Sequence, residues 1–338
     1  MTPDPDRIEH LLLQGVHQQV YPGAVWATGD ADGTHLTGSC GLPDPEDPGR
    51  PMTQDTVFDV ASLTKIITVW SVIGALWQQQ RLSLDDPLAA HMPELNGYQL
   101  APVTVRQLLN HTAGLPLRAN LRNLYGTDPG QIRTGVLREP LNRPPGQAVE
   151  YTDRAALVLG FLAEHLTATP LDHLAQTTVW QPLGMTATSF GPLPAERCAP
   201  TEYDDDTGRH LRGAVHDFSA RLLGGVCGIA GAFSTASDLA TYLRHLLQPF
   251  GAGAAWVQES LQVQTGDLQP ARGLFWHPAS GTDPADGVYV HYGFTGTGIW
   301  ISPKQNRWAV LLTNKLYYSR DRHPLKEIRN TFRTLVFQ

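Results

Sequence analysis

The chain has 338 residues, 41% of them hydrophobic, and a net charge of −7, enough apolar side chain for one large globular core or two modest ones. No basic run interleaved with aromatic residues is present, so the composition argues against a nucleic-acid partner. Cys40, Cys198 and Cys227 are odd in number and lack a Cys-x-x-Cys spacing, which excludes a disulfide framework and a thiolate metal site and leaves them as small buried hydrophobes.

The first element is a helix over residues 8–20, where apolar side chains recur at 8, 11, 12, 16 and 20. Its apolar run at 11–13 is too short for a signal-peptide core or a membrane span. The chain as given therefore reads as cytoplasmic with no membrane span, although a leader already removed would leave the same start. Two strand-like runs, GAVWATG (23–29) and THLTGSC (34–40), flank Asp30-Ala31-Asp32-Gly33 and predict a hairpin. The stretch PDPEDPGRP (43–51) is a loop, since so much proline, glycine and charge suits neither ladder nor helix.

From 62 to about 80 the apolar positions Ile66, Ile67, Val69, Trp70, Ile73 and Leu76 are too dense for a surface helix and predict a buried one, with Ser62 at its N-cap. Helices are predicted over 104–110, 153–166, 171–183 and 237–247, separated by loops such as NRPPGQ (142–147). The tail changes character. Strand-like runs at 287–294, 296–303 and 307–314 precede a last helix over 324–337. Strands at both ends bracket a helical middle, so the economical fold is α+β: an antiparallel sheet made by both termini and flanked by helices, plus a helical subdomain. The expected limits within one domain of 1–338 are about 61–230 for the helical part, with 1–60 and 231–338 forming the sheet part.

Lysine is scarce, at positions 65, 304, 315 and 326 alone, and Lys65 opens the apolar run of DVASLTKIITVW (59–70). Ser62 and Lys65 stand three apart at a helix start, which puts both side chains on one face. A lysine desolvated by Ile66 and Trp70 is expected to have a lowered pKa, and so to take the proton that makes a serine hydroxyl a nucleophile. Two further triplets follow in order: Tyr151-Thr152-Asp153 at a loop-to-helix junction, and His291-Tyr292-Gly293 on a strand that continues into Phe294.

With these three motifs the sequence resembles the serine β-lactamase and penicillin-binding-protein superfamily, whose set is Ser-x-x-Lys, Tyr-x-Asn or Ser-x-Asn, and Lys-Thr-Gly. The resemblance is nearest to class C β-lactamases and their esterase and D-peptidase relatives, and it extends over nearly the whole chain. FDVASLTK, LLNHTAGLP, PPGQAVEYTDRAALVLG, GGVCGIAGAFSTASDLATYL and HYGFTGTGIWISP carry it. It implies a β-lactamase/transpeptidase-like fold and a serine hydrolase that forms an acyl-enzyme on a small ester, amide or peptide, with no cofactor and no metal. It also implies the site residues: Ser62 as nucleophile, Lys65 and Tyr151 sharing its proton, and the backbone N–H groups of Ser62 and Phe294 as oxyanion hole. Asp153, His291 and Gly293 are then the substrate-binding positions. An acyltransferase, or a non-hydrolysing binder of penicillin or cell-wall fragments, is the alternative.

Two positions depart from the family pattern. Asp153 stands where asparagine is usual, and an ionised carboxylate accepts hydrogen bonds but cannot donate one to a substrate carbonyl. His291 stands where β-lactamases have lysine, and a histidine of ordinary pKa is mostly neutral at pH 7, which weakens attraction for a substrate carboxylate. Taken singly, Asp153 also reads as an N-cap, Tyr151 as a core tyrosine and the glycines at 293, 296 and 298 as a bulge. His216-Asp217 resembles a recurrent family dipeptide and receives no role beyond loop structure. Asp204-Asp205-Asp206 reads as a solvated turn, and Gly251-Ala-Gly-Ala-Ala-Trp256 fails the dinucleotide pattern at its last position.

Overall fold

The computed structural model describes residues 3–117, 120–248, 253–282 and 284–337; Gly251 and Ala252 of the glycine-rich stretch lie outside them. The first helix, α1 (Pro5–His17), starts earlier than the apolar spacing alone suggests. The Asp4 side chain accepts from the N–H groups of Asp6 and Arg7, and Pro5 occupies the first helical position. It also stops earlier, because Gln19 takes a positive φ of 54° and turns the chain away.

The hairpin follows as β1 (Gly23–Gly29) and β2 (Thr34–Gly41). Much later come β3 (His277–Pro278), β4 (Tyr289–Tyr292), β5 (Gly298–Ser302) and β6 (Arg307–Thr313). The six strands form one sheet in the order β2-β1-β6-β5-β4-β3, antiparallel throughout, with Val25 opposite Leu312, Ile299 opposite Val310 and His291 opposite Ile299. The two ends of the chain thus meet at the pairing of β1 with β6. Alternate side chains serve two cores, as the two-residue repeat of a strand requires. Trp26, Trp300 and Leu311 pack with Ile8 and Leu12 of α1 and with Leu325 and Phe332 of the last helix. Val25, Ile299, Val310 and Leu312 face the helical middle of the chain.

In that middle, the single helix expected over 62–80 is three different turns. A 3₁₀ turn (Ala61–Leu63) and a π turn (Lys65–Trp70) lead into α2 (Ser71–Gln78). Next come α3 (Asp153–Thr167), largely buried along its length, and α4 (Ala236–Leu246), which lies against β1 and β6. The chain closes with α5 (His323–Phe337). A short second sheet joins Phe58–Asp59 and Ser189–Phe190 to the two edges of Ala232–Ser234, and so carries the entry to Ser62. The three aspartates 204–206 sit at the turn of a small hairpin, Tyr203–Asp204 with Arg209–His210. The three cysteines are buried and unpaired, and among the described residues no helix is long and apolar enough to cross a membrane.

Candidate active site

The site begins at a reversal of the chain. The buried Asp59 carboxylate accepts from the Ala61 N–H at 2.9 Å, and Ala61 adopts a positive φ of 49°, a conformation that a non-glycine residue takes only where its surroundings hold it. Ser62 follows inside the tight turn. It lies within that turn, whose N-cap is Val60, rather than at the N-cap expected from sequence, and its hydroxyl is engaged by Lys65. The wide turn that starts at Lys65 places this ammonium in a fully buried position, where it donates to Ser62 Oγ at 2.9 Å and to the Ile229 carbonyl at 3.0 Å, and forms an ion pair with Asp153 Oδ1 at 2.9 Å.

With Tyr151, which also hydrogen-bonds it, these partners surround an ammonium that has three N–H bonds to give. Burial by itself pulls the Lys65 pKa down, but the charge and hydrogen bonding of Asp153 and Tyr151 outweigh it, and the net direction is up. The expectation that apolar neighbours deprotonate Lys65 is therefore corrected by a carboxylate that sequence reading had treated as a substrate contact. In the free protein the lysine is an ammonium.

Tyr151 and Asp153 reach this point from the start of α3. Thr152, rather than Asp153, is the N-cap: its side chain accepts from the Arg154 N–H and donates to the Pro116 carbonyl. That leaves the Asp153 carboxylate available to Lys65. A bidentate ion pair between Arg154 and Glu139, both almost fully buried, anchors the same turn from behind. Tyr151 stays 38% exposed on the cleft side, with Lys65 Nζ 5.5 Å from its ring centroid and the His111 ring centroid 4.6 Å away. Burial drives the pKa of His111 well below the ordinary histidine value, so it packs against Tyr151 as a neutral ring.

The third motif forms the opposite wall. His291 on β4 is buried, and its Nδ1–H donates to the Phe275 carbonyl at 2.7 Å. Burial first, and the nearby Lys65 charge second, push its pKa well below the ordinary value. The position that carries a cation in β-lactamases is uncharged here. Gly293 is required where it stands: an added Cβ would lie 2.0 Å from Thr297 Oγ1 and 2.4 Å from the Val60 carbonyl oxygen. The turn that carries Phe294 is fastened to the entry of Ser62 by hydroxyl bonds, Thr295 to the Asp59 carbonyl at 2.7 Å and Thr297 to the Val60 carbonyl at 3.0 Å.

His216, to which the sequence assigned no role, completes this brace. Its backbone N–H and its Nδ1–H both donate to Asp59 Oδ2, at 2.8 and 3.1 Å, and its ring stacks on Phe294 at 5.9 Å. Burial opposes protonation of His216, but Asp59 overrides it and the pKa is raised. Asp217 caps the helix Phe218–Leu222. One buried Asp–His pair thus ties the Ser62 turn to the Phe294 turn.

Between the walls lies a cavity of about 770 Å³, the size of a small-molecule site. Ser62, Tyr151, Asp153, His291, Gly293 and Phe294 all line it, and Lys65 lies buried behind Ser62. The structure brings together every site residue expected from the motifs. It adds Arg272, whose guanidinium lies 5.7 Å from the Tyr151 ring centroid, and a group of cations around Phe294. Among the described residues no cluster of three or more His, Cys, Asp or Glu side chains is placed to hold a metal ion.

A family model described as Beta-lactamase matches residues 8–330 of this chain. A relative from Escherichia coli (strain K12), provisionally named D-alanyl-D-alanine carboxypeptidase, is 30% identical over 349 residues, covering 90% of this chain and 78% of its own. Among solved structures, EstCE1, described as a hydrolase with promiscuous acyltransferase activity, superposes with a TM-score of 0.77 at 21% identity, covering 98% of both chains. A class C β-lactamase from Rhodobacter sphaeroides gives a TM-score of 0.77 at 20% identity, covering 98% of this chain and 100% of its own. A penicillin-binding protein homologue from Pyrococcus abyssi gives 0.75 at 19%, covering 92% and 73%.

Proposed function

The chain belongs to the β-lactamase family of serine hydrolases, and from that premise we propose that it hydrolyses small esters or peptide-like amides through an acyl-enzyme on Ser62. The observation that carries this reading is the Ser62 Oγ to Lys65 Nζ contact of 2.9 Å at the wall of a cavity that also presents Tyr151 and the Phe294 turn.

The free protein holds Lys65 as an ammonium, so the reactive form is the one in which the Lys65–Tyr151 pair has lost one proton. Ser62 Oγ then attacks the substrate carbonyl carbon while its proton passes to that pair. The carbonyl electron pair moves onto oxygen and is held by the N–H groups of Ser62 and Phe294. Collapse of this intermediate expels the leaving group, which takes the proton back through Tyr151. Water attacks the acyl-enzyme by the same route and restores Ser62.

Two features favour esters and peptides over β-lactams. Asp153 presents only acceptors, and one of them is engaged by Lys65, so a β-lactam side-chain carbonyl finds no donor there. His291 is neutral and buried, so a β-lactam carboxylate finds no cation at that position. The ion pair with Asp153 also favours a second reading, a protein that acylates and then holds the adduct, since a protonated Lys65 is a poor base for the attacking water. A panel of p-nitrophenyl esters, D-amino-acid amides and a cephalosporin, run on the wild type and Ser62→Ala, tests both. Steady ester or amide turnover lost in Ser62→Ala is the expected result; a single stoichiometric burst supports the adduct-holding reading, and equal rates in the two proteins overturn both.

A further inference from the structure

The cavity lining carries seven Lys or Arg side chains against two carboxylates, Asp153 and Asp217, in a protein whose net charge is −7. Three of those cations, Lys315, Arg320 and Arg322, lie against the Phe294 ring, and Arg329 lies over the neighbouring Tyr292. Lys315 is the informative member. It is 2% exposed, and its Nζ is buried with no hydrogen-bond partner. An ammonium in that state has given up water without gaining a hydrogen-bond acceptor in return. Burial, and then the charges of Arg329 and Arg322, press its pKa down to about 8.

Its neighbours do not relieve it. Arg329 donates to the carbonyls of Gly293 and Thr297 at 3.0 and 2.6 Å, which satisfies hydrogen bonds but cancels no charge, and its Nε has no partner. Arg320 is ion-paired with Glu202, and Asp321 favours the Lys315 charge from the loop but is outweighed by burial and by Arg329 and Arg322. The Phe294 ring sits among the cations, with Lys315 Nζ 5.5 Å, Arg320 Cζ 4.9 Å and Arg322 Cζ 4.5 Å from its centroid. Cation–π contacts of this kind spread positive charge around a ring but do not neutralise it.

We propose that this end of the cavity is a binding subsite for a dianionic group, a phosphate monoester carried by the substrate, held by Lys315 with Arg322 and Arg329. A phosphate presents three acceptor oxygens and close to two negative charges at neutral pH. It matches several convergent cations better than a single carboxylate does. The subsite deepens the acyl-hydrolase reading by naming a substrate class: an ester or amide whose phosphorylated end lies on the Phe294 side while its carbonyl lies at Ser62. Phosphate serves for recognition only, and no phosphoryl bond is made or broken.

The test uses binding, so that it stands apart from turnover. Calorimetry on Ser62→Ala at pH 8 compares phenyl phosphate, benzoate and phenol. Phenyl phosphate is expected to bind at least about tenfold more tightly than benzoate, with phenol weaker still. Lys315→Met is expected to cut phenyl phosphate affinity by about tenfold or more and leave phenol unchanged. Binding should also take up protons at pH 8, seen as a buffer-dependent heat, because an anion raises the Lys315 pKa back towards that of a free lysine. Arg322→Gln, on the same cavity, gives the affinity reading should Lys315→Met fail to fold. Benzoate binding as tightly as phenyl phosphate, or either variant retaining full affinity while folded, overturns the proposal. If phosphate binds but no ester or amide is turned over, the hydrolase reading fails and the subsite stands.

Discussion

The two ends of the cavity handle charge in opposite ways. At the Ser62 end the polar groups are mostly paired: Lys65 with Asp153, Arg154 with Glu139 and the His216 ring with Asp59, each within 3.1 Å, while the buried Nε of Arg272 beside Tyr151 has no partner. At the Phe294 end Lys315 has no acceptor and Arg329 bonds only to carbonyl oxygens. Matched charges are internal machinery, fixed before substrate arrives and costly to disturb. Unmatched ones gain most when an anion binds. On the proposed reading, the contrast separates residues that work on the reaction from residues that select what reacts.

Substitutions can break this contrast in order of expected size. Lys65→Met removes the proton carrier of the matched end and should lower kcat/KM for a p-nitrophenyl ester by about a thousandfold; a loss below about tenfold would place the base elsewhere. His216→Asn removes the ring N–H that donates to the buried Asp59 carboxylate and should cost about 1–3 kcal/mol of stability in urea unfolding. A change within about 0.5 kcal/mol would show that the brace carries no strain-bearing role.

Asp153→Asn sharpens the same end. With the largest upward influence gone and Tyr151 alone opposing burial, the Lys65 pKa should fall, so the rise of kcat/KM with pH should move to lower pH by about one to three units. An unmoved or upward-shifted limb contradicts the charge assignment. On the other end, Lys315→Met should leave kcat/KM for a neutral ester within about twofold, since it removes selection but not chemistry.

The smallest expected effect concerns His277, on the wall between the two ends, whose pKa burial lowers from 6.5 to about 4. Above pH 6.5 it is neutral both folded and unfolded. Between 6.5 and 4 the unfolded chain takes up a proton that the folded one refuses, so stability falls over that window as pH drops. Replacing it in His277→Gln should flatten the thermal-stability profile between those pH values; an unchanged slope assigns the acid sensitivity to other buried histidines.

Much of the fold is legible in the amino-acid order because it rests on local pattern. The hairpin at 23–41, the three C-terminal strands and α3 follow from two-residue and helical periodicity with clear turn chemistry between them. The breakdown of 62–80 into three kinds of turn is not local. Its first turn is held by Asp59, whose carboxylate accepts from Ala61 and from His216, the latter 157 positions away. Ser62 and Lys65 announce themselves by spacing and the family resemblance adds Tyr151 and Phe294, whereas the protonation of Lys65 depends on which residue caps α3, and Thr152 and Asp153 are both good caps. Lys315 carried a signal that went unused. It is one of only four lysines, the same scarcity that drew attention to Lys65.

The most direct test of the central claim is intact-mass spectrometry after exposure to a fluorophosphonate probe, with peptide mapping of the modified protein. The account predicts one adduct per chain, mapped to Ser62 and absent from Ser62→Ala. An adduct that persists in Ser62→Ala, or maps to another residue, would contradict it.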